Sequence, residues 1–165
     1  HRDGTRYVRT CSIGRLKTAV LHAEDYVFVG ARALVKKSPL RGPADAARHT
    51  LIDAAPELPL FRYFVDAPRG AAGENDAAAV EDWAFSGVLH LGAISAIRAR
   101  VLEGRGVAVL PRYLVADDLK KKRLVALCPR RPLLSDAFRL AWRAGHPREV
   151  ELRALAARLA RAPLR

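Results

Sequence analysis

Near its middle the sequence runs Phe85-Ser-Gly-Val-Leu-His-Leu-Gly-Ala-Ile-Ser-Ala-Ile-Arg-Ala-Arg-Val-Leu-Glu-Gly-Arg-Gly-Val-Ala-Val-Leu-Pro111. The stretch opens with an apolar run of strand length, which a glycine interrupts. Ile94, Ile97 and Val101 then recur at the spacing of one helical face. Gly104 follows where a left-handed residue commonly ends a helix. The pattern therefore predicts a strand, a helix and a tight turn in succession.

A second strand follows that turn. Residues 107–110 are continuously apolar, as is typical of a strand buried on both faces, and Pro111 ends the run and suits the start of another helix. The order strand, helix, strand predicts a parallel sheet covered by helices. Ligands bind such sheets beyond the carboxyl ends of the strands. We therefore expect a ligand, favoured as an anion, at the helix start in residues 91–95. The alternative is that Gly92 is only a turn and Ser95 only a first-turn polar residue.

The chain is strongly basic, with 29 Lys and Arg against 17 Asp and Glu and a net charge of +12. Such a charge invites a nucleic-acid interpretation. The dense basic runs are confined to residues 120–123 and 130–131, and no aromatic residues are interleaved with them. The first run lies where a helix is predicted to finish, a favourable place for cations. We therefore expect no direct nucleic-acid binding by this chain.

Length and composition fit a globular protein in a reducing compartment. The chain has 165 residues, 50% of them apolar, enough for one domain with a core or for two small lobes. Cys11 and Cys128 are far apart and form no CxxC pair, which excludes a disulfide scaffold and suits the cytoplasm. No run of 18 apolar residues predicts a membrane span. The chain contains no Met and begins at His1, so we expect a fragment boundary there.

The remaining sequence alternates between strand and helix patterns. Residues 1–19 are polar and basic and predict a loop, whereas residues 19–21 and 26–29 predict two strands separated by a polar stretch. Further along, the patterns predict short helices over 43–48 and 60–65, a strand over 50–52, a surface loop over 68–76, a helix over 113–122, strands over 124–127 and 137–142, and a last helix over 148–162. On that last helix Leu152, Leu155, Ala156 and Leu159 predict one apolar face.

The sequence contains none of the common motifs of catalysis or metal binding. The sequence has no GxSxG and no HExxH, and His22-Ala-Glu24 resembles the H-x-E of zinc deaminases without the PCxxC that must follow. Asp117-Asp118 is interpreted as a solvated helix face. We therefore predict no enzyme activity, catalytic residue, metal or cofactor. His90 lies near the expected ligand turn, although a structural role is the alternative.

Several segments resemble one known family. Residues 24–29, 38–40, 43–47 and 50–52 look like parts of the effector-binding domain of LysR-type transcriptional regulators. Residues 101–111, Val-Leu-Glu-Gly-Arg-Gly-Val-Ala-Val-Leu-Pro, are similar to that family's V-x-x-G-x-G-[IV]-[AS]-x-[LV]-P signature. Arg105 departs from the small or apolar residue usual between the two glycines. The resemblance covers roughly residues 20–161, and the order of the motifs is more specific than any one of them.

The resemblance implies an α/β, periplasmic-binding-protein-like fold with two α/β lobes joined by two crossover strands. Residues 1–49 would be the remainder of the first lobe and the first crossover, 50–130 the second lobe, and 131–165 the return crossover and the C-terminal helix of the first lobe. The family's opening strand–helix–strand, its linker helix and its winged helix-turn-helix are not in this sequence, so the first lobe is expected to be incomplete.

The resemblance also implies a function and a site. A small effector would bind between the lobes, bias their closure and so reshape the contact of a cytoplasmic homo-oligomer with DNA. DNA would be bound only through the winged helix-turn-helix that this sequence lacks, and no membrane partner is expected. The helix start at Gly92 and the cationic chain favour a small organic anion. The ligand-binding residues expected from the resemblance and from position are Gly92, Ala93, Ile94, Ser95, Gly30, Ala31, His90 and Pro111.

Two alternatives stay open on sequence alone. A solute-binding protein of the same fold would carry a signal peptide or lipid-anchor cysteine upstream. A small α/β enzyme on the same lobes would need a cluster of titratable residues in the cleft, where the sequence offers only His90 and Ser95.

Overall fold

The computed structural model describes residues 10–13, 15–67 and 82–162. It divides the chain into two compact units, one of Asp25–Ser135 and one of His1–Glu24 with Asp136–Arg165. The chain passes between the units twice, within one long strand and at the start of the last strand, so the two predicted crossover strands are confirmed. The predicted loop over 68–76 lies outside the described residues.

The larger unit alternates strands and helices. Its described elements are the second part of β2 (Leu16–Ala31), α1 (Arg32–Lys37), a 3-10 helix (Pro43–Arg48), β3 (Thr50–Asp53), α2 (Pro59–Val65), β4 (Gly87–His90), α3 (Ile94–Leu102), β5 (Val107–Pro111), α4 (Arg112–Lys120) and β6 (Leu124–Ala126). Helix α1, whose side chains are all at least partly exposed, was not predicted.

The sheet of this unit is mixed, in the order β6, β2, β5, β3, β4. Strand β3 runs parallel to both β4 and β5, as the predicted strand–helix–strand unit requires. Strand β2 runs antiparallel to β5, with Tyr26 opposite Pro111 and Gly30 opposite Val107, and antiparallel to β6. Residues 26–31 therefore pair within the sheet of the larger unit; they lie in the range 1–49 that the sequence assigned to the remainder of the first lobe and the first crossover.

The core lies against β5, where every residue from Val107 to Leu110 is buried, as predicted. Phe28, Phe61, Phe64 and Trp83 form an edge-to-face cluster, with the Phe64 and Trp83 rings 5.3 Å apart at an interplanar angle of 82°. Such pairs contribute about 1 kcal/mol beyond the area they bury. This cluster seats helix α2 on the sheet.

Two glycines make the turn between α3 and β5. Gly104 has a φ of +73°, so it forms the left-handed helix end that the sequence predicts. A Cβ on Gly106 would lie 2.4 Å from the Thr50 carbonyl oxygen, so only glycine allows β5 to begin this close to β3.

Strand β2 corrects the prediction of two short strands. It continues unbroken through His22–Asp25, whose polar side chains are partly or fully exposed, because strand continuity depends on the backbone and not on an apolar side-chain pattern. Thr10–Ile13 also forms a strand, β1, within the stretch predicted as a loop, paired antiparallel with β2 from Thr10 opposite Ala19 to Ile13 opposite Leu16.

The smaller unit contains β1, the first part of β2, most of β7 (Ser135–Arg143) and α5 (Glu149–Arg161). Ala19, Trp142 and Ala156 are its buried apolar side chains among the described residues. The predicted apolar face of α5 is only partly covered, because Leu155 is 42% exposed and Leu159 39% exposed. The Lys17 ammonium joins β2 to the α5 carboxylate of Glu149 at 2.8 Å.

Candidate ligand-binding site

Three helices of the larger unit begin at one edge of its sheet. Because β3, β4 and β5 are parallel, their carboxyl ends at Asp53, His90 and Pro111 lie along the same edge. Helices α2, α3 and α4 each start within a few residues of those strand ends. Helix N-termini carry unpaired N–H groups and a partial positive charge, so this carboxyl edge favours anions.

One of the three helix starts is already filled by a side chain. The Asp53 carboxylate, buried completely, accepts the amides of Leu60 at 3.2 Å, Phe61 at 2.8 Å and Ala54 at 2.6 Å. Two of these amides belong to the first turn of α2, whose own cap residue, Leu58, supplies no side-chain acceptor. Asp53 therefore acts as an internal anion for α2.

The start of α3 has no such anion. Ala93 holds the extended conformation of a helix cap, with φ −126° and ψ 127°, but has no side-chain acceptor. Among the described residues, no side chain accepts a hydrogen bond from the first-turn amides of α3. Gly92, Ala93 and Ser95 are exposed, and a Cβ at Gly92 would meet nothing within 4 Å. This helix start is therefore open to a ligand.

Aromatic and basic side chains lie at the same edge. Tyr26, opposite Pro111 in the β2–β5 ladder, stacks on Tyr63 of α2 with ring centroids 3.8 Å apart. Arg112, the exposed first residue of α4, follows the end of β5, and His90 is exposed at the end of β4. These two strand ends are two strand spacings apart, about 10 Å. The edge thus offers flat apolar surface, helix amides and a cation.

A buried ion cluster fixes α3 against its neighbours. Asp118 of α4 is fully buried and accepts from the Arg98 Nε of α3 at 2.7 Å and from the guanidinium of Arg123. The interpretation of both Asp117 and Asp118 as a solvated face is correct for Asp117 and wrong for Asp118. The signal that was missed is Arg98, which projects from the neighbouring helix and is distant in sequence.

The structure brings most of the predicted site residues together. His90, Gly92, Ala93, Ile94, Ser95 and Pro111 all lie at the carboxyl edge. Gly30 and Ala31 do not, because β2 is antiparallel to β5 and its end lies beside Val107, the first residue of β5. Gly30 is also enclosed by Val35, Val107 and Leu127.

Four further residues lie at this edge that were not among the residues expected from sequence to bind a ligand: Asp53, Tyr26, Tyr63 and Arg112. Asp53 carried a usable signal, since an acidic residue between a buried strand and a helix often caps that helix. The Tyr26–Tyr63 stack left no signal in the sequence, because the two rings come from distant segments and meet only in the tertiary structure.

Two further properties bear on function. Within the described ranges, no three or more His, Cys, Asp or Glu side chains are grouped so that they could hold a metal ion. Across the same ranges, no helix has the length and apolar character needed to cross a membrane.

A mixed sheet covered by helices, entered and left through two crossover strands, defines a periplasmic-binding-protein-like α/β fold. The model of the family described as the LysR substrate binding domain matches residues 7–163. The chain therefore belongs to the LysR substrate-binding domain family, the effector-sensing part of LysR-type transcriptional regulators.

Solved structures of this family are similar to the chain. The regulatory domain of CrgA from Neisseria meningitidis has a TM-score of 0.63 at 13% identity, covering 93% of this chain and 71% of that one. The regulatory domain of AphB from Vibrio vulnificus has 0.63 at 16% identity, covering 90% and 71%. Full-length LysG from Corynebacterium glutamicum, with bound effector Arg, has 0.66 at 15% identity. The chain thus spans 50% of that full-length regulator. No curated protein is similar enough in sequence to count as a relative.

Proposed function

We propose that this chain is the effector-sensing domain of a LysR-type DNA-binding regulator, and that its effector is a small organic anion held at the start of α3. The observation that carries the proposal is the contrast between two helix starts on one sheet edge. At α2 the amides are occupied by the Asp53 carboxylate, whereas at α3 no side chain of the described ranges accepts from them and the cap residue is exposed. An effector carboxylate would do at α3 what Asp53 does at α2.

The neighbouring residues would complete the recognition. Ser95 supplies a hydroxyl in the first turn of α3, and Arg112 supplies a charge at the end of β5. The Tyr26–Tyr63 stack would contact an apolar part of the ligand. Pro111 is buried and shapes the edge rather than offering a polar group. The effector would act by population shift, binding one conformation of the regulator better than another, with DNA bound by a winged helix-turn-helix elsewhere in the regulator.

The site can be tested by introducing a side-chain carboxylate that competes with the effector for the α3 amides. Ala93→Asp places a carboxylate at the α3 cap, where it should satisfy the amides as Asp53 does at α2. We expect the variant to be more stable by about 1 kcal/mol and to lose anion binding. Ala99→Asp, on the exposed side of the same helix, makes the same charge change away from the amides.

The measurement is calorimetric titration of both variants and the parent with small mono- and dicarboxylates and their matched amides. We expect carboxylates to bind the parent and Ala99→Asp, and to bind Ala93→Asp at least tenfold more weakly. Equal binding to Ala93→Asp, or selective binding of the neutral amides, would exclude an anion at the α3 start.

The regulator assignment has its own test in the native gene. The coding sequence upstream of the His1 codon should encode a helix-turn-helix pattern about one domain away. A short apolar leader with a cleavage site would instead make the protein an extracytoplasmic solute-binding protein of the same fold.

A further inference from the structure

The larger unit contains a cavity beside β6, which forms one edge of its sheet. The cavity has a volume of about 550 Å³ and is bordered by Ala126, the last residue of edge strand β6. Strand β4, which leads into α3, is the other edge strand. The two edge strands are four strand spacings apart, about 19 Å, and none of the described residues that line the cavity belongs to β4 or α3.

The wall of this cavity is largely apolar and aromatic. Leu40 and Leu127 are almost fully buried beside it, and Phe64 and Trp83 contribute two rings from the aromatic cluster of the core. The volume lies within the range of ordinary small-molecule sites, which are mostly apolar with a few convergent polar groups.

The charged groups that line this cavity are all positive among the described residues. They are Arg41, Arg130 and Arg131, and no Asp or Glu of the described ranges joins them. Among the described residues, no carboxylate forms an ion pair with the side chains of Arg41 or Arg130. The Arg131 guanidinium lies 4.4 Å from the Phe64 ring centroid and donates to the Val65 carbonyl at 3.3 Å. One arginine is thus held against the aromatic wall while two are available to a ligand.

A strained turn holds the arginines in place. Cys128 has a φ of 46°, a left-handed conformation that non-glycine residues adopt at a cost and that clusters at ligand sites. Its carbonyl accepts the Arg131 amide at 3.0 Å, and its thiol donates to the Arg41 carbonyl at 3.6 Å. The turn therefore ties the two arginine-bearing segments of the cavity together.

One buried donor on the wall has no acceptor. Trp83 is only 5% exposed, and its indole Nε1–H has no hydrogen-bond partner among the described residues. Buried donors without acceptors are rare because the lost hydration is not replaced. A bound acceptor, or a small shift of the ring on binding, would remove that cost.

We propose that this cavity is a second small-molecule site, which takes an apolar organic carboxylate of about the size of an arylacetate. The apolar body would lie against Phe64, Trp83 and Leu127, and the carboxylate would accept from Arg41 and Arg130, a pairing that guanidinium geometry favours. The described lining of the cavity does not include the α3 start, so the regulator would sense two anions at two places in one unit.

Tryptophan fluorescence can isolate this site. The chain contains two tryptophans, so Trp142→Phe leaves Trp83 as the sole emitter. Combining it with Ala93→Asp removes carboxylate binding at α3. We expect phenylacetate to change the Trp83 emission saturably and the neutral phenylacetamide to leave it unchanged.

Single charge substitutions then test the recognition. Arg41→Gln and Arg130→Gln should each weaken phenylacetate binding about tenfold, the loss expected for one charged hydrogen bond. Arg105→Gln, an exposed arginine outside the cavity lining, should not change it. If Trp142→Phe destabilises the smaller unit, calorimetric titration of Ala93→Asp alone gives the same comparison.

Three outcomes would overturn the proposal. The first is the absence of saturable phenylacetate binding up to about 10 mM, a concentration far above the usual dissociation constants for metabolites. The second is equal binding of phenylacetate and phenylacetamide. The third is an unchanged affinity for phenylacetate in both Arg41→Gln and Arg130→Gln. Because the fluorescence experiment uses the Ala93→Asp background, its failure leaves the α3 proposal standing, and failure at α3 leaves this one standing.

Discussion

The carboxylate of Asp53, at the end of β3, accepts the backbone amide of Phe61, in the first turn of α2, at 2.8 Å. The cap therefore comes from the preceding strand, not from the residue at the helix start, which is Leu58 in a left-handed conformation with φ 54°. Phe61 is fully buried in the aromatic cluster of the core. One side chain thus fixes the helix that carries that cluster.

Removing this cap should destabilise the protein measurably. We expect Asp53→Ala to lower the free energy of unfolding by about 2 kcal/mol, the upper part of the range for a lost cap, because two buried first-turn amides lose their acceptor. Urea unfolding followed by circular dichroism gives the value. Asp66→Ala, at the exposed far end of α2, is the control and should change it by less than about 0.5 kcal/mol. A loss at Asp53 no larger than the control's would contradict the capping role.

Asp117 and Asp118 allow the same substitution to be compared at a buried and at an exposed position of one helix. Asp118 is fully buried between two arginines, whereas Asp117 is 78% exposed and 3.8 Å from Lys121. We expect Asp118→Asn to cost about 2 kcal/mol, below the value for a fully buried pair because both arginines can partly hydrate. Asp117→Asn should cost almost nothing. Similar unfolding midpoints for the two variants would be inconsistent with the buried cluster.

Gly106 should be intolerant of even one added carbon. A Cβ there would lie 2.4 Å from the Thr50 carbonyl oxygen and 2.9 Å from Ile52 Cγ1, so β5 and β3 would have to separate. We expect Gly106→Ala to cost about 2 to 3 kcal/mol by overpacking. Gly87→Ala, where the added carbon meets nothing within 4 Å, should be neutral or slightly stabilising. Thermal unfolding of the two variants decides the matter, and equal melting temperatures would refute the close approach.

His49 should make stability depend on pH in the mildly acidic range. Burial lowers the pKa of His49 below its usual value of 6.5, and the Pro39 backbone only partly opposes the effect. As the pH falls below 6.5, His49 is protonated more readily in the unfolded chain than in the folded chain. The free energy of unfolding therefore decreases as the pH is lowered. Unfolding midpoints from pH 8 to pH 5 should show this fall, and His49→Gln should flatten it. His90→Gln removes an exposed histidine and should keep the slope, whereas a slope unchanged in His49→Gln would rule His49 out.

Some parts of the site followed from sequence because they are local. The i, i+3 and i+7 spacing of Ile94, Ile97 and Val101 can be satisfied only by a helix with one buried face. The run of β5 contains no polar residue that would mark a solvent-facing side, so the pattern predicts a strand that is buried on both faces. Together these patterns predicted the strand–helix–strand unit and the open start of α3.

Other parts of the structure depend on the relative direction of paired strands and on contacts between residues that are far apart in the sequence. Gly30 and Ala31 look like a strand end in sequence, but which edge of the sheet that end reaches depends on whether β2 runs parallel or antiparallel to β5. Residues 22–25 look like a break in the sequence, but β2 runs through them and pairs with other strands on either side of the stretch.

The amino-acid sequence by itself determined the type and order of most elements, the family and the position of the helix start at residues 92–95, because each of these is set by residues a few positions apart. Only the tertiary structure decided that Asp118 is buried, that Asp53 fills one helix start and leaves another open, and that three arginines share a cavity with Trp83. These depend on side chains brought together from distant segments, and their energies come from burial and charge pairing that exist only once the sheet has formed.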